Sequence, residues 1–359
     1  MSPQHLPARS PALTSSPLSI PASKTKRIEE KKSWTPSPKH QLQPSLRRGN
    51  DTSVTEFFLV GFSLPLQLRY VLFTVLLLIY IITLMANMLI LMAIGLDSAL
   101  HTPMYFFLFT FSLSETCYTF VVIPNMLAML LSKGKLISLP GCALQMFFFG
   151  TLASTNCFLL AVMGYDRYVA ICHPLHYPVL MSPCACAGLV VACFLSGVLF
   201  SIVIVYLIFH LSYCGPNTIN HFFCDTSPVL QLACTDSSLP EGVVFLAGIL
   251  FLVMALLLIL ISYILILTAI FKISSAKGRH KAFSTCVAHL TVVVVHYSCA
   301  AIEYLRPKSI HSPEQDKLIA ISYTLFTPLL NPMVYSLRNK DVRWALQRTM
   351  AKIFFPQRL

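Results

Sequence analysis

Asp166 and Arg167 stand side by side where a long apolar run gives way to polar sequence. A carboxylate and a guanidinium at a helix end can pair in a partly desolvated place. Releasing that pair frees an always-charged, multi-donor group for an incoming partner. A simple interfacial arginine would share the same neighbours. Asn156 lies inside that same apolar run, and Glu115, Asn87 and Asn331 lie inside others, so the four can form a polar cluster in a bundle core. Cys214, Cys224 and Cys234 are evenly spaced in one polar stretch, and Cys142 opens an apolar run. Four cysteines allow three disulfide connectivities. His221, Cys224 and Asp225 offer a rival soft-metal set. No HExxH or GxSxG pattern and no paired intramembrane aspartates are present, so nothing points to an enzyme or a catalytic residue.

The elements that position these residues are dictated by composition. Of 359 residues, 56% are hydrophobic and 11% charged, against about 25% charged in soluble domains. Mean hydropathy is +0.71. The net charge of +12 resides in the N-terminal tail, short loops and the C-terminal segment. Basic loops beside apolar spans orient a membrane protein, and no aromatic-lined basic groove suggests nucleic acid. The twelve cysteines are not framed as CxxC pairs, so no zinc signature appears.

Seven apolar spans follow, near 70–94, 103–130, 141–171, 187–209, 242–271, 281–304 and 318–335. Each approaches or exceeds the roughly 20 residues that cross hydrocarbon as a helix. Barrel-type alternation is absent, so the expected fold is an all-α membrane protein, a seven-transmembrane bundle. Residues 1–49, rich in Pro, Ser, Lys and Arg, are expected to form a disordered extension, followed by a receptor domain over 50–335 and a tail over 336–359. Lys272, Lys277, Arg279 and Lys281 follow the fifth span and six basic residues occupy the tail, which favours a cytoplasmic C-terminus and an extracellular N-terminus at the plasma membrane. Lys133, Lys135, Arg306, Lys308 and Lys317 belong to the opposite loops. Val342, Ala345, Leu346, Met350 and Ile353 recur at helical spacing, which reads as a short amphipathic helix on the anionic leaflet. Asn50-Asp51-Thr52 is a glycosylation sequon ahead of the first span.

The stretch Gly164-Tyr165-Asp166-Arg167-Tyr168-Val169-Ala170-Ile171-Cys172-His173-Pro174-Leu175-His176-Tyr177 resembles the cytoplasmic signature of vertebrate olfactory receptors, within the rhodopsin-like G protein-coupled receptors. Three other stretches match in the same order: Leu100-His101-Thr102-Pro103-Met104-Tyr105-Phe106-Phe107-Leu108, Lys281-Ala282-Phe283-Ser284-Thr285-Cys286, and Pro328-Leu329-Leu330-Asn331-Pro332-Met333-Val334-Tyr335. The resemblance covers about Asn50 to Phe354.

The resemblance implies residue roles. Arg167, with Asp166 and Tyr168, would engage the G protein; Tyr263 and Tyr335 would line up beneath it; Asn331 and Pro332 would form a hinge. Pro332 suits such a part because it removes a backbone donor. Asn87, Glu115, Asn156 and Asn331 would form a sodium- or water-filled site. Here the chain departs from the family, with Glu115 where Asp is common and Asn156 where Glu is frequent. A purely structural hydrogen-bonded network is the equal alternative. The family pattern pairs Cys142 with Cys224 and Cys214 with Cys234.

The default ligand site lies between helices near the outer face. Facing positions are Phe149, Gly150, Ala153 and Ser154, and the resemblance adds Ala247, Gly248, Phe251, Tyr297, Ala300, Ala301, Tyr304 and Thr324. This lining is small, aromatic and uncharged, although Glu303 lies near the outer end of the sixth span. His296 stands where the family usually has Phe. The reading is an odorant receptor for small neutral volatiles, without cofactor or metal. It would activate a stimulatory heterotrimeric G protein and raise cAMP. A chemosensor acting outside olfactory tissue is the alternative, and a transporter is disfavoured because no internal repeat or broken helix pair appears.

Overall fold

The computed structural model describes residues 54–62, 64–132, 134–272, 274–304, 313–338 and 342–348. Residues 1–49 and Asn50 therefore lie outside the described residues, as do Met350 and Ile353. The side chains of Glu303, Tyr304 and Tyr335 lie outside them too.

Among the described residues, β1 (Glu56–Leu59) precedes α1 (Leu66–Leu96) and α2 (Pro103–Leu131). Then come β2 (Lys135–Ser138), α3 (Leu139–Cys172), α4 (Tyr177–Leu180), α5 (Pro183–Phe209), β3 (Thr218–Ile219) and α6 (Thr226–Leu230). Three long helices follow, α7 (Ser238–Lys272), α8 (Ala276–Tyr304) and α9 (Pro313–Arg338). The chain is an all-α membrane bundle. The long helices α1, α2, α3, α5 and α7 are long and apolar enough to cross a membrane, whereas α8 contributes a shorter apolar stretch, Cys286–Ile302. Helix α9 carries two internal prolines, Pro328 and Pro332.

Burial sorts these helices. In the most apolar windows of α2 and α3, 61% of residues are buried, against 22% in α1 and α5 and 17% in α7. The central helices α2 and α3 are also less apolar, because they present polar groups to protein instead of lipid. Helix α3 packs against α2, α5, α7 and α8. Two glycines permit the α3–α5 approach. A β-carbon on Gly197 would lie 2.6 Å from the Thr151 carbonyl oxygen, and one on Gly150 would lie 2.8 Å from Ser201 Oγ. Small residues at such crossings let helix backbones come close where no hydrophobic effect drives association.

The helices begin where the sequence supplies caps. Ser138 and Ser182 accept hydrogen bonds from the Gly141 and Ala185 amides, and a proline follows each within two residues. Arg69 Nε donates to the Leu130 carbonyl at 2.8 Å, and the guanidinium also reaches the Ser132 carbonyl. A cation beside the last carbonyls of α2 satisfies acceptors that the helix leaves unpaired.

A feature absent from the sequence reading closes one end of the bundle. Strands β2, β1 and β3 form a three-stranded sheet in that order, β1 running antiparallel to β2 and parallel to β3. The segment ahead of α1 is thereby stitched to the loops after α2 and α5. Lys317, read from sequence as a loop charge, instead occupies the first turn of α9 and is fully buried. Its Nζ donates to the Gly61 carbonyl and lies 5.7 Å from the centre of the Phe62 ring. Packing against the sheet end, rather than loop solvation, decides its place.

Candidate functional site

At the sheet end, residues 221–224 form a lid lodged in the bundle. Phe222, Phe223 and Cys224 are fully buried. Asn125 of α2 donates to the Phe222 carbonyl at 3.0 Å, and the Cys224 amide donates to Gln145 Oε1 of α3 at 3.0 Å. The Cys142–Cys224 disulfide fastens the lid to the start of α3, with the Cα atoms 5.4 Å apart. Cys214 and Cys234 form a second disulfide within the loop, with Cα atoms 5.7 Å apart. The rival metal set loses its thiolate, since Cys224 sulfur is consumed. His221 stacks on Phe222 at 4.6 Å. Burial, then the nearby Lys317 charge, push its imidazole down to about 3. Burial, then Asp316, push the Asp225 carboxyl up to about 6.

Beneath the lid the sequence-derived ligand residues divide into groups. Phe149 packs against Tyr118 of α2 at 5.2 Å, Phe223 of the lid at 5.1 Å and Tyr323 of α9 at 6.2 Å. Ala153 and Ala247 pack against the same apolar cluster. Phe251 sits between Phe158 of α3 at 4.7 Å and Phe200 of α5 at 4.5 Å. Gly150 faces Ser201, so its contact is helix packing. The Tyr297 hydroxyl donates to the Cys157 carbonyl at 3.2 Å, and the buried Thr324 hydroxyl donates to the Ala320 carbonyl at 2.5 Å. Ser154 is buried, whereas Gly248, Ala300 and Ala301 are partly exposed. The sequence reading did not single out Tyr118, Phe158, Phe200 or Tyr323. All are aromatic residues within or beside apolar runs, a signal shared with every lipid-facing aromatic.

His296 Nε2 lies 3.3 Å from Cys157 Sγ, which joins α8 to α3 one turn below. At a position where the family usually has Phe, this histidine thus hydrogen-bonds to a neighbouring helix.

The polar core lies deeper. Asn331 Nδ2 donates to Glu115 Oε1 at 3.0 Å, linking α9 to α2. Asn87 Nδ2 donates to the carbonyls of Thr83 at 3.0 Å and Pro328 at 3.2 Å. The second of these acceptors precedes Asn331 by one helical turn. Oxygen atoms of Asn87, Asn156, Asn331, Ser114 and Thr327 are buried without a hydrogen-bond partner among the described residues. Buried acceptors are costly when unpaired, so these oxygens suit water or a small cation.

At the opposite end Arg167 is held by its neighbour. Arg167 Nε donates to Asp166 Oδ2 at 3.0 Å, and Nη2 donates to the same oxygen. The Tyr177 hydroxyl donates to the other carboxylate oxygen at 2.7 Å. Burial, then the Asp166 charge, raise the Tyr177 phenol above its usual range, so it remains a donor. The Asp166 side chain is fully buried and Arg167 is 13% exposed. A buried carboxylate with three donors is a stable resting partner for the guanidinium. Tyr168 pairs with His173 at 3.0 Å.

Tyr263 pairs with a residue that sequence reasoning missed. Its hydroxyl lies 2.7 Å from His289 Nδ1, while His289 Nε2 lies 3.0 Å from the Leu160 carbonyl. One buried imidazole therefore ties α7, α8 and α3 together. The signal was an intramembrane histidine in the sixth span, which warranted the same attention as Glu115.

The sequence profile of the family described as "Olfactory receptor" matches residues 76–353. Human olfactory receptor 10R2 is 54% identical over 84% of this chain and 90% of its own length. Human olfactory receptor 10K1 is 54% identical over 86% of this chain and 98% of its own. Mouse olfactory receptor 10J5 is 50% identical over 86% and 99% respectively.

Proposed function

The chain belongs to the olfactory receptor family, and from that premise we propose that it binds small neutral volatiles and activates a stimulatory heterotrimeric G protein, raising cAMP. The N-terminus and the sheet end face outward, at the plasma membrane, and the Asp166–Arg167 end faces the cytoplasm. The observation that carries this reading is the closed Asp166–Arg167–Tyr177 set at the end opposite the disulfide-fastened lid. An agonist beneath the lid shifts the helices, and the opening of that set exposes Arg167 to the G protein. The receptor makes and breaks no covalent bond.

The ligand class follows from the lining. The proposed face around Phe149, Phe251 and Tyr297 contains no charged residue. A charged ligand would lose its hydration there with no opposite charge to offset the loss. A neutral one gains on the order of 25 cal/mol per Å² of apolar surface buried, which gives half-maximal responses of about micromolar or weaker for a small molecule.

The test is a panel of matched carbon skeletons bearing alcohol, aldehyde, amine and carboxylate groups, read by a cAMP reporter. Neutral members should act. Arg167→Ala should abolish the response at unchanged surface level. A normal response in that variant would overturn the coupling role. Amine selectivity that disappears in Glu303→Gln would overturn the neutral-ligand reading.

A further inference from the structure

Two hydroxyls of the proposed ligand face already have their hydrogens engaged. Tyr297 donates to the Cys157 carbonyl, and Thr324 donates to the Ala320 carbonyl. Neither has a hydrogen left to give a ligand. The next residue along the chain offers one. His296 precedes Tyr297 in α8, with the two ring centres 5.6 Å apart.

Only one side of this imidazole is satisfied. Nε2 lies 3.3 Å from Cys157 Sγ on α3. Nδ1 is buried and has no hydrogen-bond partner among the described residues. A neutral imidazole donates through one nitrogen and accepts through the other. Its bare nitrogen is a far better acceptor than a thiol sulfur. The thiol therefore donates to Nε2, and the ring hydrogen resides on Nδ1. The reverse arrangement would give the N–H a weak acceptor and leave the strong acceptor unpaired. A neutral pair also places no charge inside the bundle. Nδ1–H is thus a buried donor that lacks an acceptor.

The imidazole adjoins the inner end of the ligand face. Cys157 follows Ser154 by three residues, about one turn further along α3, and both are buried. Phe158, beside Cys157, packs on Phe251 with ring centres 4.7 Å apart.

We propose that His296 is a specificity-determining residue whose Nδ1–H binds the oxygen of a carbonyl-bearing volatile, an aldehyde, ketone or ester, held against Phe251 and Tyr297. The inference rests on the neutral-ligand reading above and narrows it. A carbonyl oxygen satisfies the donor and brings no hydrogen of its own. An alcohol oxygen also accepts, but its hydrogen must then find a second acceptor. A hydrocarbon of the same shape leaves the donor unpaired, and a site built around a buried donor selects against such an analogue. Cys157 acts through His296 by fixing which nitrogen carries the hydrogen, so it is a positioning residue.

The test uses the purified full-length receptor in lipid nanodiscs. It is titrated with methyl ketones and aldehydes, each paired with the hydrocarbon in which a methylene group replaces the carbonyl oxygen (acetophenone with α-methylstyrene, for one). The ligand-induced rise in thermal midpoint reads binding without a G protein. Carbonyl members should bind about tenfold more tightly than their hydrocarbon partners, as expected for one hydrogen bond to an otherwise unpaired donor. His296→Phe, which installs the residue the family usually carries there, should abolish that preference. Ser154→Ala should keep it. Cys157→Ala should shrink it, because Nδ1 no longer has to hold the ring hydrogen. Infrared difference spectra of acetophenone, isotope-labelled at the carbonyl, read the bond itself. The stretch should be lowered in the parent and should rise toward its value in hydrocarbon solvent in His296→Phe.

A carbonyl preference that survives His296→Phe, or an unlowered stretch in the parent, would overturn the assignment. Loss of the preference in Ser154→Ala with its retention in His296→Phe would transfer the role to Ser154. An unchanged preference in Cys157→Ala would remove Cys157 from the device. Should His296→Phe fail to fold, the stretch in the parent and in Cys157→Ala decides. Binding of alcohols and hydrocarbons without preference for carbonyls would overturn the inference and leave the neutral-ligand reading standing. Binding of amines or carboxylates alone would overturn that reading, and the inference with it.

Discussion

Lys317 Nζ donates to the Gly61 carbonyl at 2.9 Å, joining the first turn of α9 to the segment ahead of α1 across 256 residues of chain. The cation also lies near Phe62, whose ring stacks on Phe222 of the lid at 5.8 Å. The buried Lys317 side chain thus ties α9 to the segment ahead of α1, and Phe62 of that segment in turn stacks on the lid.

Lys317→Met keeps most of the volume and removes the donor. The Gly61 carbonyl then loses its bond, at a cost of roughly 1–3 kcal/mol for a buried acceptor. The expected outcome is a thermal midpoint lower by several degrees in detergent and reduced surface expression in cells. An unchanged midpoint would show that the bond contributes nothing.

The lid disulfide gives a second expectation. Cys142→Ser and Cys224→Ser should each block surface expression, and the double variant should be no worse than either. Cross-links of this kind typically contribute about 2–4 kcal/mol, and two halves of one bond cannot lose it twice. Flow cytometry of tagged receptors measures this. Additive losses would assign the cysteines to different partners.

Residues 1–49 should be dispensable. A chain beginning with a new Met before Asn50 should reach the surface and respond like the full chain. Deletion through Phe62 should fail, because it removes β1, the central strand of the sheet, together with the Gly61 acceptor. Equal expression of both truncations would dismiss the sheet as a structural element.

Acid should act on the lid through two opposed groups. The folded-state value of His221 is depressed to about 3 from an ordinary 6.5. Between those values the unfolded chain binds more protons, so stability falls as pH drops below 6.5. Asp225 is raised to about 6, so the folded chain holds its proton more tightly, and stability rises as pH falls through 6. Thermal midpoints between pH 7 and 5 should therefore fall less steeply in His221→Asn than in the parent, and more steeply in Asp225→Asn. Parallel curves for all three proteins would contradict the assignment.

The amino-acid sequence by itself determined the class of fold and the family. Runs of apolar residues long enough to cross hydrocarbon leave the backbone only helices for pairing its own polar groups. Those runs appear as the long helices, with ends extended by up to about a turn where Ser138, Ser182 and the flanking prolines set the caps. The Asp166–Arg167 pair was legible because the two residues are adjacent in the chain. What only the tertiary structure decided is what meets across long sequence separations. The burial of Lys317 against Gly61, the link from His289 to Tyr263 and Leu160, and the grip of Arg348 on Asp97 each join residues on different elements. Hydropathy fixes how far a residue sits along a span, but not which way its side chain turns. A single polar residue in an apolar run gives the same local signal whether it faces a pocket, a neighbouring helix or a carbonyl of the segment before α1. Packing of α2 and α3 at the centre of the bundle resolves that ambiguity, because each buried donor there must find an acceptor within hydrogen-bond reach.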